Sequence, residues 1–101
     1  KIGPKWKPGF TKAIKYWVPS IAVSAMAIYK GDEFSEWNGD ALITSLKDQS
    51  LRKIKFKDNK FISEEIIFKS KIGRIRDIKI QKETGELYML SDKGELWRMY
   101  K

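Results

Sequence analysis

Two arginines stand two positions apart in Gly73-Arg74-Ile75-Arg76-Asp77, at the start of an apolar, alternating run. On an extended strand, residues i and i+2 project from one face, so Arg74 and Arg76 are expected side by side. Parallel guanidiniums repel each other unless an anion, a carboxylate or water answers them. The pair therefore reads either as a solvated strand edge or as one wall of an anion site. Other chemistry is sharply limited, because the chain contains no histidine and no cysteine. A histidine base, a His-metal cluster, a Ser-His-Asp triad, thiolate ligands and disulfides are all excluded within it.

The elements that position these arginines belong to a chain of 101 residues, enough for one small domain. A hydrophobic content of 42% and an aromatic content of 13% suit a folded core. The net charge of +8 admits nucleic acid, an anionic surface or an anionic ligand as partner. Lysine-rich, isoleucine-rich usage is also what an AT-rich coding bias produces. No apolar run approaches the roughly 20 residues of a membrane span. The chain opens in Lys1-Ile2-Gly3-Pro4 without an initiator Met or an apolar signal core. That opening reads as a start inside a longer polypeptide or as a processed product.

Residues 1–20 hold Pro4, Pro8 and Pro19 together with several lysines and glycines, so they are expected to be irregular. Trp6, Phe10, Tyr16 and Trp17 suggest a loop packed on a scaffold, with a basic-aromatic nucleic-acid surface as the alternative. Beyond it, strands are expected over 21–30, 40–46, 51–57, 60–69, 74–81, 86–91 and 95–100. Asn38-Gly39, Asp58-Asn59, Thr84-Gly85 and Lys93-Gly94 supply turn chemistry between them. Lys53, Lys55 and Lys57 alternate with Ile54 and Phe56, which predicts a solvent-facing or edge strand with its lysines outward. The run over 60–69 reads as an outer strand with an irregularity at Glu64 and Glu65. Helical periodicity appears nowhere.

The two halves can be laid over each other. Gly39-Asp40-Ala41-Leu42-Ile43-Thr44-Ser45-Leu46 matches Gly85-Glu86-Leu87-Tyr88-Met89-Leu90-Ser91-Asp92, and Ser50-Leu51-Arg52-Lys53-Ile54 matches Glu95-Leu96-Trp97-Arg98-Met99 with a small shift. A repeat of this length with four short strands has the size of a propeller blade. The expected architecture is all-β: one complete blade over 21–69 and three strands of a last, incomplete blade over 70–101. Fewer than two blades would leave faces and an edge unpaired, so the remaining blades of the same protein are expected as partners.

A further set of residues falls in one order: Trp17-Val18-Pro19-Ser20-Ile21-Ala22, Ile28-Tyr29-Lys30-Gly31-Asp32-Glu33-Phe34, Trp37-Asn38-Gly39, Ser45-Leu46-Lys47, Gly73-Arg74-Ile75-Arg76-Asp77 and Gly85-Glu86-Leu87-Tyr88-Met89-Leu90-Ser91-Asp92. Together they resemble the C-terminal part of the soluble pyrroloquinoline quinone (PQQ)-dependent aldose sugar dehydrogenases, the glucose/sorbosone dehydrogenase family. The resemblance implies a six-bladed β-propeller that oxidises aldose sugars by hydride transfer to PQQ, with calcium, in the periplasm or outside the cell. It implies that Lys47, Arg74 and Arg76 contact the cofactor and that Ser20 sits where the family has a hydroxyl residue at the cofactor. Asp77 is expected to brace the loop or to pair an arginine. No catalytic residue and no calcium ligand is expected in this segment. The family's base is a histidine, and its calcium ligands lie in earlier blades. Val23-Ser24-Ala25-Met26 departs from the family's usual turn at that point. A non-catalytic propeller that binds another anion, such as an acidic sugar, is the alternative. Nucleic acid is not the expected partner, since no nucleic-acid motif accompanies the blade repeat.

Overall fold

The computed structural model describes residues 22–58 and 60–101, so the irregular segment expected over 1–20, with Ser20, lies outside the described residues. Seven strands follow in order: β1 (Val23–Ile28), β2 (Ala41–Ser45), β3 (Ser50–Lys57), β4 (Lys60–Lys69), β5 (Ile75–Ile80), β6 (Leu87–Ser91) and β7 (Leu96–Met99). They form two antiparallel sheets, β1-β2-β3-β4 and β5-β6-β7, each running in sequence order. The only helical turn among the described residues is a short 3-10 turn at Ser35–Trp37. The described residues are all-β, and their two sheets have the size and strand order of propeller blades.

The sheets pack face to face around one apolar cluster. Leu42 and Leu51 from the first sheet meet Ile75, Ile78, Leu87 and Met89 from the second, with Tyr29, Phe34 and Ile72 closing the ends. Ala41, Ile43 and Ile54 form a second cluster, with Phe56 packed on it. Alternate residues of β2 thus enter different clusters, and the strand is buried along its whole length.

Two polar contacts set how the sheets lie together. Thr44 Oγ1 accepts the Ala25 N–H at 3.0 Å and approaches the Ile75 carbonyl at 3.4 Å. Beyond the other ends of β1 and β5, the buried Tyr29 hydroxyl donates to the Gly85 carbonyl at 2.6 Å and accepts the Phe34 N–H at 3.0 Å. Contacts at both ends align β1 and β5 side by side in the same direction. The Tyr29 ring is held in turn by Phe34 and Trp37, which stack on each other at 4.5 Å. Asn38 ties the same loop, accepting the Gly31 N–H and donating to the Gly31 and Ser35 carbonyls.

The strand following Ser50 corrects the expectation of outward lysines. β3 lies inside the sheet between β2 and β4. Lys53 is only 8% exposed, and its ammonium reaches the buried Asp40 carboxylate at 3.2 Å, while Lys55 approaches the other Asp40 oxygen at 3.4 Å. A buried carboxylate needs an opposite charge, and that need drew a lysine off the wet side. The irregularities in β4 also differ from the expectation. Glu64 and Glu65 are in regular register with Ile54 and Lys53; the shifts fall on either side, between Leu51/Arg52 and between Lys55/Phe56.

The repeat holds in three dimensions. Gly39 and Gly85 precede corresponding strands and share left-handed backbones, with φ of 90° and 81°. They differ in surroundings. A Cβ on Gly39 would meet nothing within 4 Å, whereas one on Gly85 would lie 2.7 Å from the Tyr29 hydroxyl and 2.8 Å from the Asp32 nitrogen. Gly39→Ala is therefore expected to cost about 1–2 kcal/mol of unfolding free energy from the backbone alone. Gly85→Ala should cost about 2–3 kcal/mol more, by forcing the sheets apart; denaturant titration of the two variants gives the comparison. By the same measurement, Lys53→Met should cost about 3 kcal/mol for leaving Asp40 under-paired. Lys57→Met, on the exposed end of β3, should stay within about 0.5 kcal/mol of the parent.

Candidate functional site

The alignment of β1 with β5 brings the sequence-predicted cations to one rim. β2 ends at Ser45, opposite Val23 at the start of β1, and the Leu46 N–H donates to the Ala22 carbonyl at 2.8 Å. The 46–49 turn that carries Lys47 thus stands beside the entry to β1. Thr44, just before that turn, touches the Ile75 carbonyl at the start of β5, between Arg74 and Arg76. Lys47, Arg74 and Arg76 are all exposed there. A cleft of about 1130 Å³ also lies between the sheets, lined by Ile28, Tyr29, Asn38, Ile80, Lys82 and Glu83 among others. It sits at the opposite ends of β1 and β5 from these cations.

The arginines flank the buried Ile75. Arg74 precedes β5, where its carbonyl accepts the Asp92 N–H at 2.9 Å. Arg76 sits in a bulge, since Ile75 pairs with Ser91 and Asp77 with the adjacent Leu90. A bulge adds a residue to one strand and re-aims side chains. β1 carries the same device one blade earlier: Val23 pairs with Ser45, Ala25 with Thr44, and Ser24 is the extra residue. There the Thr44 hydroxyl receives the Ala25 N–H. Ser24 thus occupies in the first blade the place that Arg76 occupies in the second.

The carboxylate that meets Arg76 is Asp92, at 3.2 Å from Nε. Asp77 accepts the following Ile78 N–H at 2.9 Å, so it braces the local backbone. Among the described residues, Lys47 and Arg74 are in no ion pair. Two cations without a carboxylate and a third held by one exposed contact are a donor set suited to a polyanionic ligand. Among the described residues no carboxylate cluster could hold a metal ion.

Sequence reasoning missed the groups beneath the Lys47 turn. Arg52, on β3, contacts Asp48 through Nη2, Glu64 Oε2 at 2.8 Å through Nη1, and Ser50 Oγ at 2.9 Å through Nε. Gln49 closes the turn in the left-handed region, with φ of 53°, and its carbonyl accepts the Ser70 N–H at 3.0 Å. Nothing in the spacing announces this network, since Asp48 falls between two expected strands and Glu64 reads only as an irregularity in an outer strand.

The sequence model of the Glucose / Sorbosone dehydrogenase family matches residues 2–98. The chain is 33% identical over 96 residues to an uncharacterized protein, slr1608, of Synechocystis sp., covering 92% of this chain and 23% of that protein. It is 33% identical over 93 residues to the aldose sugar dehydrogenase YliI of Escherichia coli, covering 90% of this chain and 25% of that protein. The chain thus spans about a quarter of the length of these relatives. Two solved structures, each described as a glucose dehydrogenase, superpose with TM-scores of 0.69 and 0.70 at 28% and 27% identity. They cover 93% and 96% of this chain and 27% and 28% of their own.

The Asp48 carboxyl is held down at about 2 by hydrogen bonds from Ser50 and then Arg52, against the opposing effect of desolvation. Its folded value lies below the unfolded one, near 3.8. The stability it contributes is therefore present above about pH 4 and is lost as pH falls through 2. The difference in unfolding free energy between the parent and Asp48→Asn should be constant above about pH 5 and shrink towards zero below about pH 3. Denaturant titrations at stepped pH give that difference directly.

Proposed function

Because the chain belongs to the glucose/sorbosone dehydrogenase family, we propose that it forms part of a PQQ-dependent sugar dehydrogenase that oxidises aldoses, with Lys47, Arg74 and Arg76 holding the cofactor. When bound, PQQ supplies a quinone that takes up hydride from the sugar, with calcium as the associated ion. What this segment contributes is charge and position. The Lys47 ammonium and the Arg74 and Arg76 guanidiniums would hold the cofactor's carboxylates, and their positive charge would favour reduction of the bound quinone. Ser20 stands in the proposal as a further hydroxyl contact. The chain has no histidine, so the group that removes the sugar's hydroxyl proton comes from elsewhere in the full-length protein. The calcium ligands are assigned there too.

The observation that carries this reading is the rim itself, where Lys47 and Arg74 lie exposed without an ion-pair partner among the described residues. Arg76 is 67% exposed on the side chain and has a single contact to Asp92. The remaining blades of the same protein are the partners we assign to the flanking surfaces. Met26 and Ile28 on β1 and Leu96 on β7 are more than half exposed, as faces that meet a neighbouring blade would be when seen without it. No helix among the described residues is long and apolar enough to cross a membrane. A periplasmic or secreted site of action is proposed with the family assignment.

In the full-length protein, Arg74→Ala or Arg76→Ala should weaken PQQ binding about 10- to 100-fold, the loss of one charged hydrogen-bonding group. Titration of apoprotein by the quinone's absorbance measures it, with Lys57→Ala as the control that leaves binding unchanged. A wild-type titration for both arginine variants overturns the assignment.

A further inference from the structure

We infer that Arg52 is a positioning residue that sets Lys47 against the cofactor, acting through the turn and not by contact. The inference rests on the cofactor reading above. Its ground is how the turn is fixed. Leu46 is held by its N–H to Ala22, Gln49 by its carbonyl to Ser70, and Asp48 by the guanidinium of Arg52. Lys47 is exposed, and it alone of the four has no hydrogen bond or ion pair among the described residues. The turn is pinned on both sides of Lys47.

Arg52 suits this role by its shape. Its side chain is only 11% exposed, and its three nitrogens reach three different groups: Ser50 on its own strand, Asp48 in the turn and Glu64 on β4. A planar fork with several partners has one orientation, so Asp48 is held in one place relative to the sheet. The charge effect works the same way. Asp48 adjoins Lys47 in sequence, and a free carboxylate there would compete with an anionic ligand for the ammonium. Arg52 draws that carboxylate inward onto β3. Glu64 completes the pairing from the far side and leaves Arg52 no surplus charge to repel Lys47. Lys47 thus stays exposed, with no carboxylate paired to it among the described residues.

The test is a double-mutant cycle in the full-length protein, read by quinone-absorbance titration of the apoprotein with PQQ. Lys47→Ala, Arg52→Met and the double variant are compared with the parent. Arg52→Met is expected to weaken binding about tenfold in the parent and to have little further effect once Lys47 is alanine. Asp48→Asn provides a second route if Arg52→Met does not fold, with a smaller loss that likewise disappears in the Lys47→Ala background. A residue that merely stabilises the blade would lower the thermal midpoint without this dependence on Lys47. If Lys47→Ala weakens binding but the Arg52 and Asp48 variants cost the same in both backgrounds, or nothing, the cofactor reading stands and the positioning role is overturned. If Lys47→Ala binds PQQ as the parent does, the assignment of Lys47 falls, and the positioning role falls with it.

Discussion

The geometry of this segment depends on one buried hydroxyl. Tyr29 leaves β1, crosses to the second sheet and donates to the Gly85 carbonyl, while accepting the Phe34 N–H from its own loop. A buried phenol without partners would cost about 1–3 kcal/mol, so the hydroxyl specifies a location and does not only fill space. Gly31 and Gly85 then meet almost backbone to backbone, because a Cβ on Gly31 would lie 2.5 Å from the Gly85 Cα. This contact fixes one end of the β1–β5 pair. Thr44 fixes the other, and the rim that gathers Lys47, Arg74 and Arg76 follows from having both.

The described carboxylates leave Lys47 and Arg74 at this rim without an ion pair, as they leave several lysines elsewhere on the surface. Asp40 meets Lys53 and Lys55 within the first sheet, and Asp48 and Glu64 meet Arg52 beneath the turn. Glu86 lies 4.0 Å from Arg98 on the second sheet. The one carboxylate paired with a cation of the rim, Asp92 on Arg76, does so in an exposed setting where such a contact contributes about 0–1 kcal/mol. A contact of that strength would yield to an incoming anion at little cost. The buried pairs are different in kind: they hold the sheet and the turn, and their charges are not available to a ligand.

Much of this was legible in the sequence, and the reasons for success and failure are specific. The strands were readable because apolar residues alternate between turn residues, and the repeat of Gly39–Leu46 at Gly85–Asp92 gave the second blade its register. Arg74 and Arg76 stood out because arginines at i and i+2 are conspicuous, and Lys47 entered through family resemblance alone. What failed was pairing between distant side chains. Lys53 looked like its neighbours Lys55 and Lys57, and only the buried Asp40 across the sheet distinguishes it. Asp77 was the nearer candidate to meet an arginine, yet the bulge at Arg76 turned that side chain towards Asp92 at the end of β6. A period-2 pattern cannot show a bulge, since the extra residue breaks the alternation that the reading relies on.

That limitation bears on how the site is built. β1 and β5 both carry their extra residue at the rim end, Ser24 in one and Arg76 in the other, whereas the distal halves of both strands pair regularly. Regular pairing maintains the packing that Leu42, Ile78 and Leu87 need, and a bulge there would turn core residues outward. At the rim the constraint is reversed: a strand that kept strict alternation could not place Arg74 and Arg76 outward around a buried Ile75 and still leave the next residue, Asp77, outside the core. The bulge allows Arg76 and Asp77 both to be exposed before Ile78 re-enters the apolar cluster. The strand thus changes function along its length, from packing element to carrier of charge, through a single inserted residue.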